Sequence, residues 1–217
     1  MTLRTTLRLL ALFSVLSLAA CATPVAYDYT AFRRHPPRSI LVLPPLNQST
    51  AVEGTYSYLS TVTLPLAERG YYVFPVAVID QLMKENGLPT AGEMHAVPPA
   101  KIHEITGADA VLYVVLHQYG SKYVLLGTTT SVEVSARLVD TRSGEVLWDG
   151  KALAQQNSNG NSGNILADMI AAAIVQVINS KTDPGHQVSR LANAQLFGIP
   201  KRELPTGPLL LSDHQKR

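Results

Sequence analysis

The order of apolar runs along the chain restricts its fold more than any other feature. Continuous apolar runs bounded by turn formers are typical of strands buried on both faces. Three such runs span Ser39 to Leu43, Tyr71 to Val76 and Ala108 to Gly120. Helical segments separate them, and a helix that connects two parallel strands of one sheet crosses over in the right-handed sense. The order therefore predicts a sheet with parallel strands at its core.

Three helical segments are predicted between these strands. In the first, Glu53 to Glu68, apolar residues recur at spacings of three and four, and Pro65 lies inside, so we expect a kink or an early end. The segments from Ala77 to Asn86 and from Pro99 to Thr106 are each followed by a glycine, which adopts the left-handed conformation that ends helices.

The pattern after Gly120 changes to strict alternation of apolar and polar residues, which is typical of a strand with one wet face. It runs from Val132 to Leu138, and the turn formers from Asp140 to Gly144 then predict a hairpin whose second arm returns antiparallel over residues 145–154. The predicted fold class is therefore α/β, with a mixed parallel/antiparallel sheet flanked by helices.

The last third of the chain contains one long predicted helix. Paired apolar residues recur every four positions from Ile165 to about Ser180, and we expect this stripe to pack on the sheet. The Asn-rich stretch 157–164 is interpreted as a flexible connection in preference to a surface that recognises a partner or a glycan. Residues 182–217 are predicted to form a tail with a short helix from Val188 to Phe197.

The amino end has the pattern of a secretory signal peptide. Arg4 and Arg8 precede an apolar run that is about half of the ~20 residues needed to span a bilayer, so a permanent transmembrane helix is disfavoured. The residues Leu18-Ala19-Ala20-Cys21 resemble the bacterial lipobox. That resemblance implies cleavage before Cys21, an S-diacylglycerol group and an N-acyl group on Cys21, and sorting to the outer membrane because Ala22 is not aspartate.

The signal peptide accounts for the positive charge of the chain. Its removal takes away Arg4 and Arg8, which lowers the formal net charge from +2 to about zero and leaves about 197 of the 217 residues. A neutral chain does not favour a nucleic-acid partner. With Cys21 lipidated, no thiol remains for a disulfide or a cysteine-based metal site.

The predicted domain organisation follows from these patterns. We predict a lipoprotein signal peptide at 1–20, a lipidated flexible tether at 21–37, an α/β domain at 38–181 and a carboxyl-terminal tail at 182–217.

A catalytic, cofactor or metal site is not predicted. The main enzymatic alternative is a Ser/His/Asp hydrolase, for which His95, His103 and His117 are available, but none lies in a motif that orients a nucleophile. We interpret these histidines as structural. The stretch "LGTTTS" lacks the lysine of a phosphate-binding loop.

The tyrosines exceed what one sheet core needs, and tyrosine is enriched at protein interfaces. A core role and an interface role are both consistent with the sequence. The candidate interface residues lie on the first long helix and on the strand after it; they are Tyr56, Tyr58, Tyr71 and Tyr72.

Three stretches together resemble a known family. They are "RSILVLPPLNQS", "GADAVLYVVL" and "VSARLVDTRSGEVLWDGKA", and they look like bacterial lipoproteins of unknown function typified by a meningococcal surface antigen. The match covers Arg38 to Ser180. The resemblance implies a fold similar to the amino-terminal domain of TolB and to the curli-secretion lipoprotein, residence in the outer membrane and an accessory role in envelope assembly or export. No catalytic residues are implied.

Function is predicted from the lipobox, the neutral charge and this resemblance together. We predict a non-enzymatic outer-membrane lipoprotein on the periplasmic face that binds envelope proteins, including a curli-secretion-like lipoprotein or a second copy of the chain. The segment around Gly127 is too short to form membrane-spanning strands, so an accessory is favoured over a pore. The alternatives are a periplasmic hydrolase acting on cell-wall or lipid substrate and a carrier of an apolar ligand.

Overall fold

A computed structural model describes residues 26–124, 127–157 and 184–210. The predicted signal peptide and Cys21 lie outside these residues, as do the Asn-rich stretch beyond Asn157 and the predicted helix from Ile165 to Ser180.

The described residues form a six-stranded sheet with parallel and antiparallel parts. The strands are β1 (Ser39–Val42), β2 (Leu46–Asn47), β3 (Tyr72–Val73), β4 (Ala110–Val124), β5 (Gly127–Asp140) and β6 (Val146–Asn157). Their order is β3-β1-β4-β5-β6, and β2 pairs with β4. The β1 strand is parallel to β3 and β4, whereas β4, β5 and β6 are successively antiparallel. The predicted mixed α/β fold is confirmed.

Helices lie on both faces of the sheet. They are α1 (Thr30–Arg34), α2 (Gly54–Glu68), α3 (Val76–Glu85), α4 (Ala91–Ala96), α5 (Pro99–Thr106) and α6 (Pro184–Gly198). The α2 and α6 helices pack on one face of the sheet in the larger core, whereas α3, α4 and α5 pack on the opposite face around Leu41 and Val111. Because successive strand residues face opposite sides, Val111 belongs to one core and Leu112 to the other.

The amino-terminal segment is part of the domain, which corrects the predicted flexible tether at 21–37 for its described residues. Phe32 in α1 is buried in the larger core, and Tyr27 and Tyr29 pack against that core. The Tyr27 hydroxyl donates to Asp149 Oδ1 at 2.8 Å and accepts from the Asp149 backbone N–H at 2.9 Å. These partners are 122 residues apart in the chain, so local composition could not indicate them.

The carboxyl-terminal segment is also part of the domain, which corrects the predicted boundary at 181. The α6 helix begins earlier than the predicted helix and buries Val188, Leu196 and Phe197. Beyond it, Leu204 is fully buried, and the chain passes so close to Gly70 that a Cβ on Gly207 would lie 2.4 Å from the Gly70 carbonyl oxygen. The described part of 182–217 is therefore a packed component of the fold.

Three smaller differences have local causes. The strand predicted from Tyr71 to Val76 is only two residues long, because α3 begins directly after Pro75. The α2 helix continues past Pro65 to Glu68, and Leu66 is fully buried there, so packing outweighs the missing hydrogen bond. The α4 helix was not predicted, although Thr90 and Glu93 form a capping box that is visible in the sequence.

Candidate functional site

One face of the long hairpins β4-β5-β6 is covered only in part by the described residues. The α3, α4 and α5 helices cover this face near the start of β4, and His95 contacts the ring of Tyr113 at a centroid distance of 5.3 Å. Beyond Tyr113 the side chains on this face are half-buried or exposed. We call this surface the open face; it comprises Val115, His117, Glu133, Ser135, Arg137, Lys151 and Leu153.

Polar side chains on the open face are paired with one another. The amine of Lys151 lies 2.8 Å from Glu133 Oε1, and the hydrogen bond from Lys151 lowers the pKa of the Glu133 carboxyl. Leu153 lies directly opposite Glu133 on β6 and is 46% exposed. The open face thus combines an exposed apolar side chain with oriented charges, which is the mixture found at non-obligate protein interfaces.

A hydrogen-bonded chain crosses the same face from Gln48 through His117 to Ser135. His117 Nδ1 lies 2.9 Å from Gln48 Oε1, and His117 Nε2 lies 2.8 Å from Ser135 Oγ. With the Gln48 oxygen as acceptor, Nδ1 carries the proton and Nε2 accepts from the serine hydroxyl. This is the order of nucleophile, base and orienting group, but Gln48 lacks the negative charge that stabilises an imidazolium.

A separate cleft of about 450 Å³ lies at the amino-terminal ends of β1 and β4. It is lined by His35, Pro36, Pro37, Arg38, Asp109, Asp140, Arg142 and Ser143. Burial alone would raise the pKa of Asp109, but hydrogen bonds from the Arg38 backbone and the Arg142 guanidinium outweigh it and lower that pKa. The Asp140 carboxylate accepts three bonds within its own turn, from Arg142 N, Ser143 N and Ser143 Oγ.

The cleft does not meet the requirement of a hydrolase. His35 lines the cleft, but among the residues that the structure describes no hydroxyl is hydrogen-bonded to its ring. Ser143 Oγ, which also lines the cleft, donates to Asp140. The His117–Ser135 pair lies on the open face, away from the cleft lining. Among the described residues, this cleft therefore does not bring a histidine and an activated hydroxyl together, which a serine hydrolase needs.

The other predicted histidines are hydrogen-bonded in structural positions. His95 Nε2 lies 2.9 Å from the Pro44 carbonyl oxygen, and burial lowers the pKa of His95. His103 Nδ1 lies 2.8 Å from the carbonyl oxygen of Ala108. Both rings bind backbone carbonyls that follow or precede strands, as expected for structural histidines.

The four tyrosines predicted as an interface do not form one surface. Tyr58 and Tyr71 are buried, so their assignment to an interface is wrong; the Tyr71 hydroxyl donates to the Pro205 carbonyl at 2.6 Å. Tyr56 and Tyr72 are about half exposed. Tyr56 lies in the first turn of α2, whereas Tyr72 lies on β3, which follows the other end of that 15-residue helix.

The described residues also bear on metals and membranes. Within them, no group of three or more histidine, cysteine, aspartate and glutamate side chains could hold a metal ion. None of the helices in this part of the chain is long and apolar enough to cross a bilayer. Cys21, the predicted lipidation site, is outside the described ranges, and its role stays a prediction.

Two side-chain contacts on the open face, Lys151 with Glu133 and Gln48 with His117, are not predicted from the sequence. Lys151 lies opposite Ser135 and reaches Glu133 diagonally, and the β5-β6 register shifts between Leu138 and Val139, so counting outward from the turn at Asp140 would not have found the pair. The contact of Gln48 with His117 depends on the short parallel strand β2.

Comparison with known proteins supports the resemblance predicted from the sequence. A protein-family model described as "Putative lipoprotein GNA1162-like" matches residues 27–209. The chain is 46% identical over 191 residues to "Putative lipoprotein NMB1124/NMB1162" of Neisseria meningitidis serogroup B, covering 87% of this chain and 89% of that protein. The family model begins at Tyr27 and so includes both terminal segments that pack against the domain.

The chain is also similar to proteins of known structure. The crystal structure of lipoprotein GNA1162 from Neisseria meningitidis is 46% identical, with a TM-score of 0.57, and the match covers 66% of this chain and all of that chain. A PelC dodecamer from Paraburkholderia phytofirmans matches with 14% identity and a TM-score of 0.48, over 77% of this chain and 89% of that chain. Because the chain is 46% identical to a lipoprotein of known structure, the two share the same fold.

Proposed function

Because the chain belongs to the GNA1162-like family of lipoproteins, we propose that it is anchored in the outer membrane by lipid on Cys21 and acts there as a non-enzymatic binding module. The lipobox residues and the absence of aspartate after Cys21 support the anchor and its membrane. An S-linked diacylglycerol and an N-linked acyl chain together bury many methylenes, each worth about 0.8 kcal/mol, so the attachment would be stable.

The observation that carries the binding role is the open face. The opposite face of β4-β5-β6 is packed by α2 and α6, whereas the open face presents Leu153 beside the Glu133–Lys151 pair. Charged pairs of this kind give a contact its orientation and specificity, and a central apolar side chain gives it affinity. Neither requires a pocket.

The partner that we propose is an envelope protein on the periplasmic face of the outer membrane. Another lipoprotein, of the curli-secretion kind, or a second copy of this chain would present a folded surface at the same distance from the bilayer. The module would then serve as an accessory in an assembly or export apparatus.

Site-specific photo-crosslinking in living cells tests the binding role. A photoreactive residue at Leu153 should give an adduct of reproducible mass, either with an envelope protein or with a second copy of the chain. The matched control is Val78 on α3, which is apolar and 61% exposed but is not one of the residues of the open face. Identical adducts from both positions, or none from any open-face position, would overturn the proposal.

The lipid anchor is tested separately. Cys21→Ser should abolish metabolic labelling with palmitate and release the protein from the membrane fraction. Ala22→Asp should keep the label and move the protein to the inner membrane on a density gradient. Labelling of the Cys21→Ser protein would contradict lipidation at this residue.

The hydrolase alternative is tested at the Ser135–His117–Gln48 chain, in which Ser135 Oγ and His117 Nε2 are 2.8 Å apart. If Ser135 were an activated nucleophile, a fluorophosphonate probe would label the folded protein, and Ser135→Ala would remove the label. We expect no labelling above that of the Ser135→Ala protein, because Gln48 does not supply the charge that stabilises a protonated His117.

A further inference from the structure

We infer that the β6 end of the domain faces the bilayer at close range, an inference that rests on the proposed lipidation of Cys21. The interaction surface consists of the amino-terminal segment from Tyr27 through α1 together with Lys201 and Arg202. Its partner is the lipid surface that carries the anchor.

The first step is the attachment of the amino-terminal segment to β6. Besides the two bonds between Tyr27 and Asp149, the Tyr29 hydroxyl donates to the Glu203 carbonyl at 2.7 Å. The Arg202 guanidinium forms an ion pair with Asp149 and lies 4.8 Å from the centre of the Tyr27 ring. The chain is therefore fixed to the domain from Tyr27 onward.

The second step is the length of chain that remains between the lipid and that attachment. Five residues separate Cys21 from Tyr27. A fully extended chain advances at most about 3.6 Å per residue, so Tyr27 lies within roughly 22 Å of the acylated cysteine. The tether predicted over 21–37 would allow a far longer distance, and the attachment of Tyr27 excludes it.

The third step is the position of β6 in the sheet. The β6 strand is at one edge and β3 is at the other, four strand spacings away, which is about 19 Å. The end of the sheet next to the anchor is thus held near the lipids while the β3 edge extends away from them.

The residues on this end suit a lipid surface. Tyr27 and Tyr29 pack edge to face with ring centres 4.7 Å apart. Arg33 is exposed on α1, and Lys201 is exposed directly before Arg202, which lies over the Tyr27 ring. Tyrosine and basic side chains are the residues found at the level of the lipid headgroups. Four acidic residues adjoin this surface: Asp28 accepts from Thr30 N, Glu145 is paired with Arg34, Asp149 is paired with Arg202, and Glu203 is exposed.

This orientation deepens the proposed function. With β6 toward the bilayer, the open face stands roughly upright on the membrane. Its partner would then approach sideways, as another protein held in the same membrane does.

Fluorescence quenching in proteoliposomes tests the orientation with the native lipidated protein. A fluorophore is placed through an unnatural amino acid at Arg33 on α1 or at Tyr72 on β3, both exposed positions. The vesicles are phosphatidylethanolamine and phosphatidylglycerol that carry a headgroup-linked quencher. We expect the Arg33 probe to lose the larger part of its emission and the Tyr72 probe to lose little.

A spacer variant is the control for the role of tether length. Twenty Gly/Ser residues inserted after Ala22 add a mean reach of roughly 25 Å and should remove the difference between the two probes without changing the fold. Equal quenching at Arg33 and Tyr72 without the spacer, or an unchanged difference with it, would overturn the inference. The mass of the protein separates failure of the inference from failure of the proposed anchor. If Cys21 carries acyl groups and the two probes are equally quenched, only the inference fails; if Cys21 carries none, both fail.

Discussion

The Tyr58 hydroxyl donates a 2.5 Å hydrogen bond to Asn193 Oδ1, and both side chains are buried. The amide of Asn193 in turn donates to Thr61 Oγ1 at 2.9 Å. This contact joins α2 to α6 across 135 residues, so the last described helix is bonded to the first long one inside the larger core.

Tyr58→Phe should therefore lower the free energy of unfolding. The substitution leaves the Asn193 oxygen buried without a donor, which costs about 1 to 3 kcal/mol. The measurement is urea unfolding followed by circular dichroism. Tyr56→Phe is the matched control, because its half-exposed hydroxyl only accepts from Lys84 and its loss should cost about 0.5 kcal/mol or less. Equal losses in the two variants would contradict the core position of Tyr58.

Phe197→Ala tests the assignment of the carboxyl-terminal segment to the domain. Phe197 is buried with its ring centre 5.8 Å from that of Trp148, and its truncation should cost about 3 to 5 kcal/mol. Leu64→Ala on the exposed side of α2 should cost about 0.5 kcal/mol. If residues 182–217 were a separate tail, the two variants would have the same midpoint of urea unfolding.

Gly150→Ala should destabilise the sheet through a steric clash. An added Cβ would lie 2.7 Å from two atoms of the Trp148 indole and 3.1 Å from Leu196 Cδ1, and such overpacking costs about 1 to 3 kcal/mol. The opposite sign is expected for Gly92→Ala in the exposed helix α4, where the nearest atom is 3.8 Å away and alanine favours the helix by about 1 kcal/mol. Thermal unfolding measures both shifts, and a rise in Tm for Gly150→Ala would refute the clash.

His95 should make the stability of the domain depend on pH. Burial lowers the pKa of His95 in the folded protein below its unfolded value of about 6.5, and the charge of Arg137 acts in the same direction. As the pH falls below about 6.5 the unfolded chain takes up a proton before the folded one does, so stability is lost on the acid side. His95→Gln keeps a donor for the Pro44 carbonyl but cannot titrate. Its loss of stability between pH 7.5 and 5.5 should be smaller than that of the wild type, and an identical loss would exclude His95 as the cause.

Asp149→Ala should release the amino-terminal segment from β6. The substitution removes the carboxylate that binds both Tyr27 and Arg202, and α1 then offers Arg33 and Arg34 to trypsin. Limited proteolysis followed by mass spectrometry should show faster cleavage there than in the wild type. Lys151→Ala on the same strand is the control. Equally fast cleavage in that variant would show that Asp149 does not hold the amino-terminal segment against β6.

The local signals in the sequence predicted most of the sheet. The hairpin of β5 and β6 follows from strict alternation around the turn at Asp140, and α5 follows from Pro99 and Gly107, which adopts φ +72°. These elements depend on residues close together in the chain, where propensity and periodicity apply.

The parts that were missed depend on distant partners. The amino-terminal segment was predicted as a tether because its prolines and polar residues have no periodicity, yet Tyr27 finds Asp149 and Phe32 finds the core. Tyr58 and Tyr71 were assigned to an interface because a tyrosine that bonds Asn193 or Pro205 inside a core has the same sequence signature as one on a surface. For the open face, the alternation of apolar and polar residues predicted which side chains face solvent. It could not place Gln48 beside His117, because that contact depends on the pairing of β2 with β4.

The bonds at Asp149 also bear on the behaviour of the protein at high local concentration. A strand that ends a sheet exposes unpaired backbone groups and is a template for growth by another chain. On β6, the outward N–H of Asp149 binds the Tyr27 hydroxyl, and its outward carbonyl accepts from Arg202 Nε at 3.2 Å. Two side chains thus occupy the positions that a strand from a neighbouring molecule would use. At Asp149, a neighbouring molecule therefore cannot extend the sheet by pairing with β6 unless these bonds break.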